Sequence, residues 1–111
     1  MNIVSHKLPV SGFEIDVESE PLFGEDDAID NYVLANTVGH IEGGQWKSEF
    51  SGNVLADLRF FKAEILVKAI KNAEGNPVPG KVVDIIKGMN PKDGAEALKF
   101  VEEVHAASKK K

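Results

Sequence analysis

Residues 53–71 carry apolar side chains at one helical spacing along almost their whole length. Val54, Leu58, Phe61, Ile65 and Ala69 stand at i, i+4, i+7, i+11 and i+15, and Leu55, Leu66 and Ile70 widen the stripe. A face of that length must be covered by other parts of the chain. The spacing predicts one central helix of roughly five turns at 3.6 residues per turn, capped by Ser51 or Asn53 and running to about Lys71. Glu74-Gly75-Asn76-Pro77-Val78-Pro79-Gly80 follows at once and is turn chemistry throughout.

The segments before it read differently. NIVSHKLPV (2–10) has the look of a short strand ended at Pro9, and Ser11-Gly12 is a turn signal. FEIDVESE then alternates strictly, with Phe13, Ile15 and Val17 on one face and Glu14, Asp16 and Glu18 on the other. That is the period of a half-buried strand, so a hairpin across Pro9–Gly12 is expected, its outer acids discouraging edge-to-edge association. A helix is expected from near Gly24 to near Gly39, with Glu25, Asp26 and Asp27 in its first turn and Ile29, Tyr32, Val33 and Asn36 on its inner stripe. Residues 41–52 fit either a flexible loop or a second small hairpin turning at Gly43-Gly44.

After the central turn, Val82 to Lys87 reads as a short helix stopped by Gly88. Asn90 as N-cap, Pro91 at the first helical position and Asp93 at N3 open a last helix, whose inner stripe is Ala97, Leu98, Val101, Val104 and His105. The expectation is an α+β fold: an N-terminal β-hairpin packed on a bundle of three to four helices, in one domain spanning 1–111.

Composition removes several classes of function. With no cysteine there is no disulfide framework, thiolate nucleophile or Cys-based zinc site. His6, His40 and His105 are never three or four apart, so they form no local metal pair. EDDAIDN (25–31) is dense in acids. Counted from Asp26, however, an EF-hand would need Gly where Asn31 stands and Glu where Thr37 stands. Neither a phosphate-binding glycine loop nor a G-x-S-x-G elbow occurs. Neither an enzymatic activity nor a cofactor is expected. No apolar run reaches the roughly 18 residues of a membrane span, so no membrane partner is expected.

The net charge of −5 is unevenly spread. No Lys or Arg lies between Lys7 and Lys47, a stretch with nine acids, whereas the rest carries thirteen basic against nine acidic residues. The acidic part disfavours nucleic acid as a partner. It suits a basic protein partner or homo-oligomer formation through opposite faces. Three aromatic residues are candidate partner contacts. Trp46 and Phe50 follow Gly43-Gly44, where Trp46 is either a contact or a lid over the core. Phe60 falls off the apolar stripe and either widens the core face or marks a partner surface.

Leu8-Pro9 with Gly12, the EGNPV turn (74–78), and the segment from Ile85 to Asp93 leading into the last helix occur in an order that resembles the small tail assembly chaperones of tailed bacteriophages. The resemblance implies a non-catalytic protein of the host cytoplasm that binds the tape measure protein, and as a second candidate the tail tube protein. It would keep that long helical partner soluble while the tail tube polymerises. Two other readings stand beside it: an acidic inhibitor occupying a basic site on a host protein, and a structural tail or baseplate component retained in the virion.

Overall fold

The computed structural model describes residues 2–35, 37–42, 45–50 and 54–109, with the backbone alone for 37–42, 45–50 and 54–55. β1 (Ile3–Lys7) and β2 (Glu14–Glu18) form the expected antiparallel hairpin, in the register Ile3↔Glu18 to Lys7↔Glu14. Its loop closes through Leu8 N–H to Phe13 O (2.7 Å) and Gly12 N–H to Leu8 O (3.2 Å). Gly12 takes φ +77°, a conformation other residues adopt at a cost, and a Cβ there would stand 3.4 Å from the side chain of Ala73.

β2 is the middle strand, not an edge. A third strand, β5 (Val67–Lys71), pairs antiparallel on its other side, giving the order β1-β2-β5. The acids of β2 are therefore enclosed rather than spread over an open face. Asp16 accepts a hydrogen bond from Ser5 Oγ (2.6 Å) and pairs with Lys71 Nζ (3.2 Å). Glu18, 4% exposed, accepts from the N–H groups of Asn2 (3.0 Å) and Glu20 (3.2 Å). The free edge they were expected to guard belongs to β1.

The long helix expected over 53–71 is two elements. α2 (Val54–Leu66) passes without a turn into β5 at Val67. On β2 the step from Asp16 to Val17 is matched on β5 by the step from Ala69 to Val67, so Lys68 is an unpaired bulge residue. The bulge lets Val67 and Ile70, three apart, both face the core against Val17 and Ile15. Three apart is also helical spacing, and this is why the apolar stripe continues unbroken across the change of structure. Asn53 and Ser51, the expected caps, lie outside the described residues.

α1 (Phe23–Ala35) begins where expected, with Glu25 Oε1 accepting the N–H of Leu22 (2.9 Å), the N3-to-N-cap bond of a capping box. Ile29 is buried and Tyr32 and Val33 are half-buried as read; Asn36 is outside the described residues. The helix ends at Ala35 rather than near Gly39, because Thr37 opens a second hairpin of β3 (Thr37–Glu42) and β4 (Gln45–Phe50). Of the two readings open for 41–52, the hairpin is the one adopted. Asn72 Oδ1 accepts the N–H groups of Glu74 and Asn76 (both 3.0 Å) and shapes the turn after β5. The chain returns to pair Val78 N–H with Ile70 O (2.9 Å).

α3 (Val82–Lys87) and α4 (Pro91–Lys109) complete an α+β fold. Gly88 stops α3 in a right-handed conformation, φ −84°, not the left-handed one common at helix ends. α2 packs against α1, α3 and α4, while α4 also crosses β2. All five residues expected on the inner stripe of α4 are buried. Leu66 is fully enclosed at the junction of α2 and β5. Leu66→Ala is expected to cost about 2–5 kcal/mol of stability, read as a lower urea midpoint, since it opens a cavity at the point where helix becomes strand.

Candidate binding groove

A groove of about 370 Å³ lies where the β1–β2 turn meets α3 and the start of α4. Phe13, Val78, Ile85 and Met89 supply its apolar surface, and Val10 stands at its rim, 55% exposed. The volume falls at the lower end of the range of about 300–1,000 Å³ for ligand pockets, the scale of a socket for anchoring side chains. Each wall has a local cause. The turn 72–76 swings Val78 back beside Ile70, and Gly88 ends α3 so that Met89 closes the corner.

Asp93 fixes the groove's geometry. Asn90 caps α4 through Oδ1 to the N–H of Lys92 (2.9 Å), as the sequence suggests. The Asp93 carboxylate turns instead to the hairpin loop, where Oδ1 accepts the N–H of Val10 and Oδ2 that of Ser11, both at 2.9 Å. It is 0% exposed. Burial opposes its charge, but the donors from Val10 and Ser11 outweigh burial and hold its pKa below the ordinary value.

A second depression of similar size lies at the opposite end of the sheet, between Val4 and Ser19 and the α4 residues Glu103, Val104, Ala107 and Ser108. Nearby, His6 stacks on Phe100 (4.7 Å between centroids) and approaches Glu96 (3.2 Å). His105 Nε2, itself buried, stands 3.2 Å from Oδ1 of the half-buried Asp26 on α1. Burial raises the Asp26 pKa, but His105 and Lys109 more than offset it and hold it low. Glu25 is also held low, first by its bond from Lys68 and then by the Leu22 N–H. Among the described residues no group of three His, Asp or Glu side chains could hold a metal ion, and no helix is long and apolar enough to cross a membrane.

Of the three aromatic candidates, Phe60 does not line the groove. Phe60 is half-buried against the core with Lys87 Nζ 5.0 Å above its ring, so it widens the core face. Trp46 and Phe50 lie on β4, opposite Ile41 and Thr37; their side chains are outside the described residues. The groove's residues escaped the sequence reading because they come from four separate segments. The one available signal was the turn: Val10 and Ser11 have successive N–H groups that a tight loop leaves without strand partners. Comparison with family models, with curated proteins and with solved structures finds no match.

Asp93→Asn keeps one acceptor oxygen and turns an amide against a second N–H, so it is expected to lower thermal stability. The linkage has a definite sign. A carboxylate with a depressed folded pKa stabilises above its unfolded value, about 3.9, and that stability is lost as pH falls through the folded pKa. The acid limb of the stability curve below about pH 4 should therefore flatten in Asp93→Asn, measured by urea titrations over a pH series.

Proposed function

We propose that this protein is a non-catalytic binding protein of the tail assembly chaperone kind, which takes apolar anchor side chains of a long helical partner into the groove beside Asp93. The tape measure protein is the partner the sequence resemblance implies, with the tail tube protein second and the host cytoplasm as the setting. The observation that carries this reading is an open apolar socket at which a buried carboxylate ties the hairpin loop to the start of α4. A preformed socket loses little conformational freedom when it is filled, which suits repeated capture and release. Helix-in-groove recognition uses apolar anchors at helical spacing and needs no reactive group.

The acidic inhibitor is less well supported. Asp16 and Glu18 are engaged inside the sheet, Glu25 pairs with Lys68, and Asp26 pairs with His105 and Lys109. These acids have little left to offer a basic surface. Retention in the particle as a structural component is tested by looking for the chain in purified virions.

Co-expression with the proteins encoded beside it, followed by pull-down at low and high salt, tests the proposal. Capture of one long helical protein that persists at high salt is expected, because apolar contacts are not screened. Val10→Asp, at the exposed rim, should reduce that capture by about tenfold or more, the effect of losing roughly 1.4 kcal/mol of contact. Phe60→Ser should lower stability and leave capture by the folded fraction unchanged. Capture of only a basic protein released by salt, or capture insensitive to Val10→Asp, would overturn the reading.

A further inference from the structure

We infer that the free edge of β1 is a dimerisation surface, and that two copies pair there antiparallel about a twofold axis at Ser5 to make one six-stranded sheet. The hydrogen-bond pattern of the hairpin fixes which backbone groups are available. Leu8 N–H bonds to Phe13 O and Ser19 N–H bonds to Asn2 O. In the register Ile3↔Glu18 to Lys7↔Glu14, even-numbered residues of β1 thus face β2 with their N–H and C=O groups. Ile3, Ser5 and Lys7 direct theirs to the other side, where no strand lies among the described residues.

The other margin of the sheet is not equivalent. On β5 the returning chain bridges Lys71 and Pro77 and bonds Val78 to Ile70. Among the described residues β1 has no such cover. Its Ile3 and Val4 are 42% and 40% exposed, an apolar pair at an open edge. Natural edges are usually shortened, covered or charged, and an apolar open one is a template for another strand.

The occupant that fits is a second copy, because the edge is complementary to itself. A twofold at Ser5 brings all three outward-facing residues into use: Ser5 meets Ser5 of the partner subunit, and Ile3 meets Lys7 of the partner subunit. The flank of α4 that stands over this edge is marked by Glu96 and Phe100 against His6 and by Glu103 and Ala107 beside Val4. On the same flank Lys99 and Glu103 are 67% and 62% exposed and only 4.0 Å apart, a weak surface pair. The twofold runs the two α4 helices antiparallel, so the Lys99 and Glu103 of one copy face the opposite signs on the other. The depression beside Val4 closes on both sides of the axis. Most closed dimers are isologous in this way, each patch meeting its own copy. The dimer does not depend on what the groove at Asp93 holds.

Sedimentation of the full chain across a concentration series is the test. The wild type is expected to pass from monomer to dimer. Ser5→Pro removes an N–H that faces outward, which an edge strand tolerates, yet it blocks pairing at the axis. It should raise the dimer dissociation constant by about tenfold or more, the loss expected for two central hydrogen bonds. Ser5→Ala removes only the hydroxyl bonded to Asp16 and should dimerise as the wild type does. Because the chain has no cysteine, Ser5→Cys supplies a single thiol. Paired residues on such a ladder have Cα atoms about 5.5 Å apart, within disulfide reach, so oxidation should cross-link it. Lys81→Cys, exposed at the start of α3 and outside the β1 edge, should not cross-link. A wild type that stays monomeric at every concentration would overturn the proposal. So would a dimer that Ser5→Pro, folded by circular dichroism, leaves intact. Should Ser5→Pro fail to fold, the two cysteine variants decide: no selective cross-link at Ser5 overturns it.

Discussion

The Asp93 carboxylate holds the two ends of the chain together. It lies in the first turn of the last helix, and its two oxygens take the successive N–H groups of Val10 and Ser11 in the first hairpin loop. The loop does not satisfy those donors within the hairpin, and the carboxylate takes the place of water as their acceptor. The carboxylate in turn is removed from water, so it depends on the same donors to remain ionised. Neither partner is comfortable without the other. That pairing ties the start of α4 to the β1–β2 loop, and the two together bound one side of the open socket.

The two halves of the charge distribution meet in the same internal manner. The stretch between Lys7 and Lys47 has acids and no Lys or Arg, and the structure brings lysines to it from later segments: Lys68 to Glu25, Lys71 to Asp16, Lys109 to Asp26 and Asp30. His105 joins Asp26 from inside. Most of these pairs are partly exposed and each contributes about 0–1 kcal/mol. Together they tie α1 to β5 through Lys68 and to α4 through His105 and Lys109, while Tyr32 stacked on Phe61 sets α1 against α2.

What could be read from the sequence was whatever a short window contains. Strict alternation located β2, the Asn90-Pro91 start and its stripe located α4, and the turn residues at 9–12 and 74–80 located the reversals. The failure at 67–71 has a physical cause. A strand that turns alternate residues inward would have broken the helical pattern, but the bulge at Lys68 changes the inward spacing from two to three, and the stripe runs on. Only the pairing of Val67 with Val17 and of Ile70 with Ile15 reveals the strand, and pairing is a property of distant segments. The groove was hidden for the same reason. Its residues lie on four pieces of chain, and Asp93 reads as an ordinary helix-start acid until the loop it holds is in place.

The second hairpin sits between α1 and α2 in a particular way. Its first and last residues, Thr37 and Phe50, are paired to each other, so the chain leaves the body and returns to it at nearly one point. α1 and α2 pack together on either side of that point. In evolutionary terms β3 and β4 form a unit whose two described ends meet. Its length and content can change by insertion or loss while the ends that α1 and α2 must present stay where they are. A change of length between Thr37 and Phe50 is therefore compatible with an unchanged sheet and socket, although it would fall in the stretch that carries the single tryptophan.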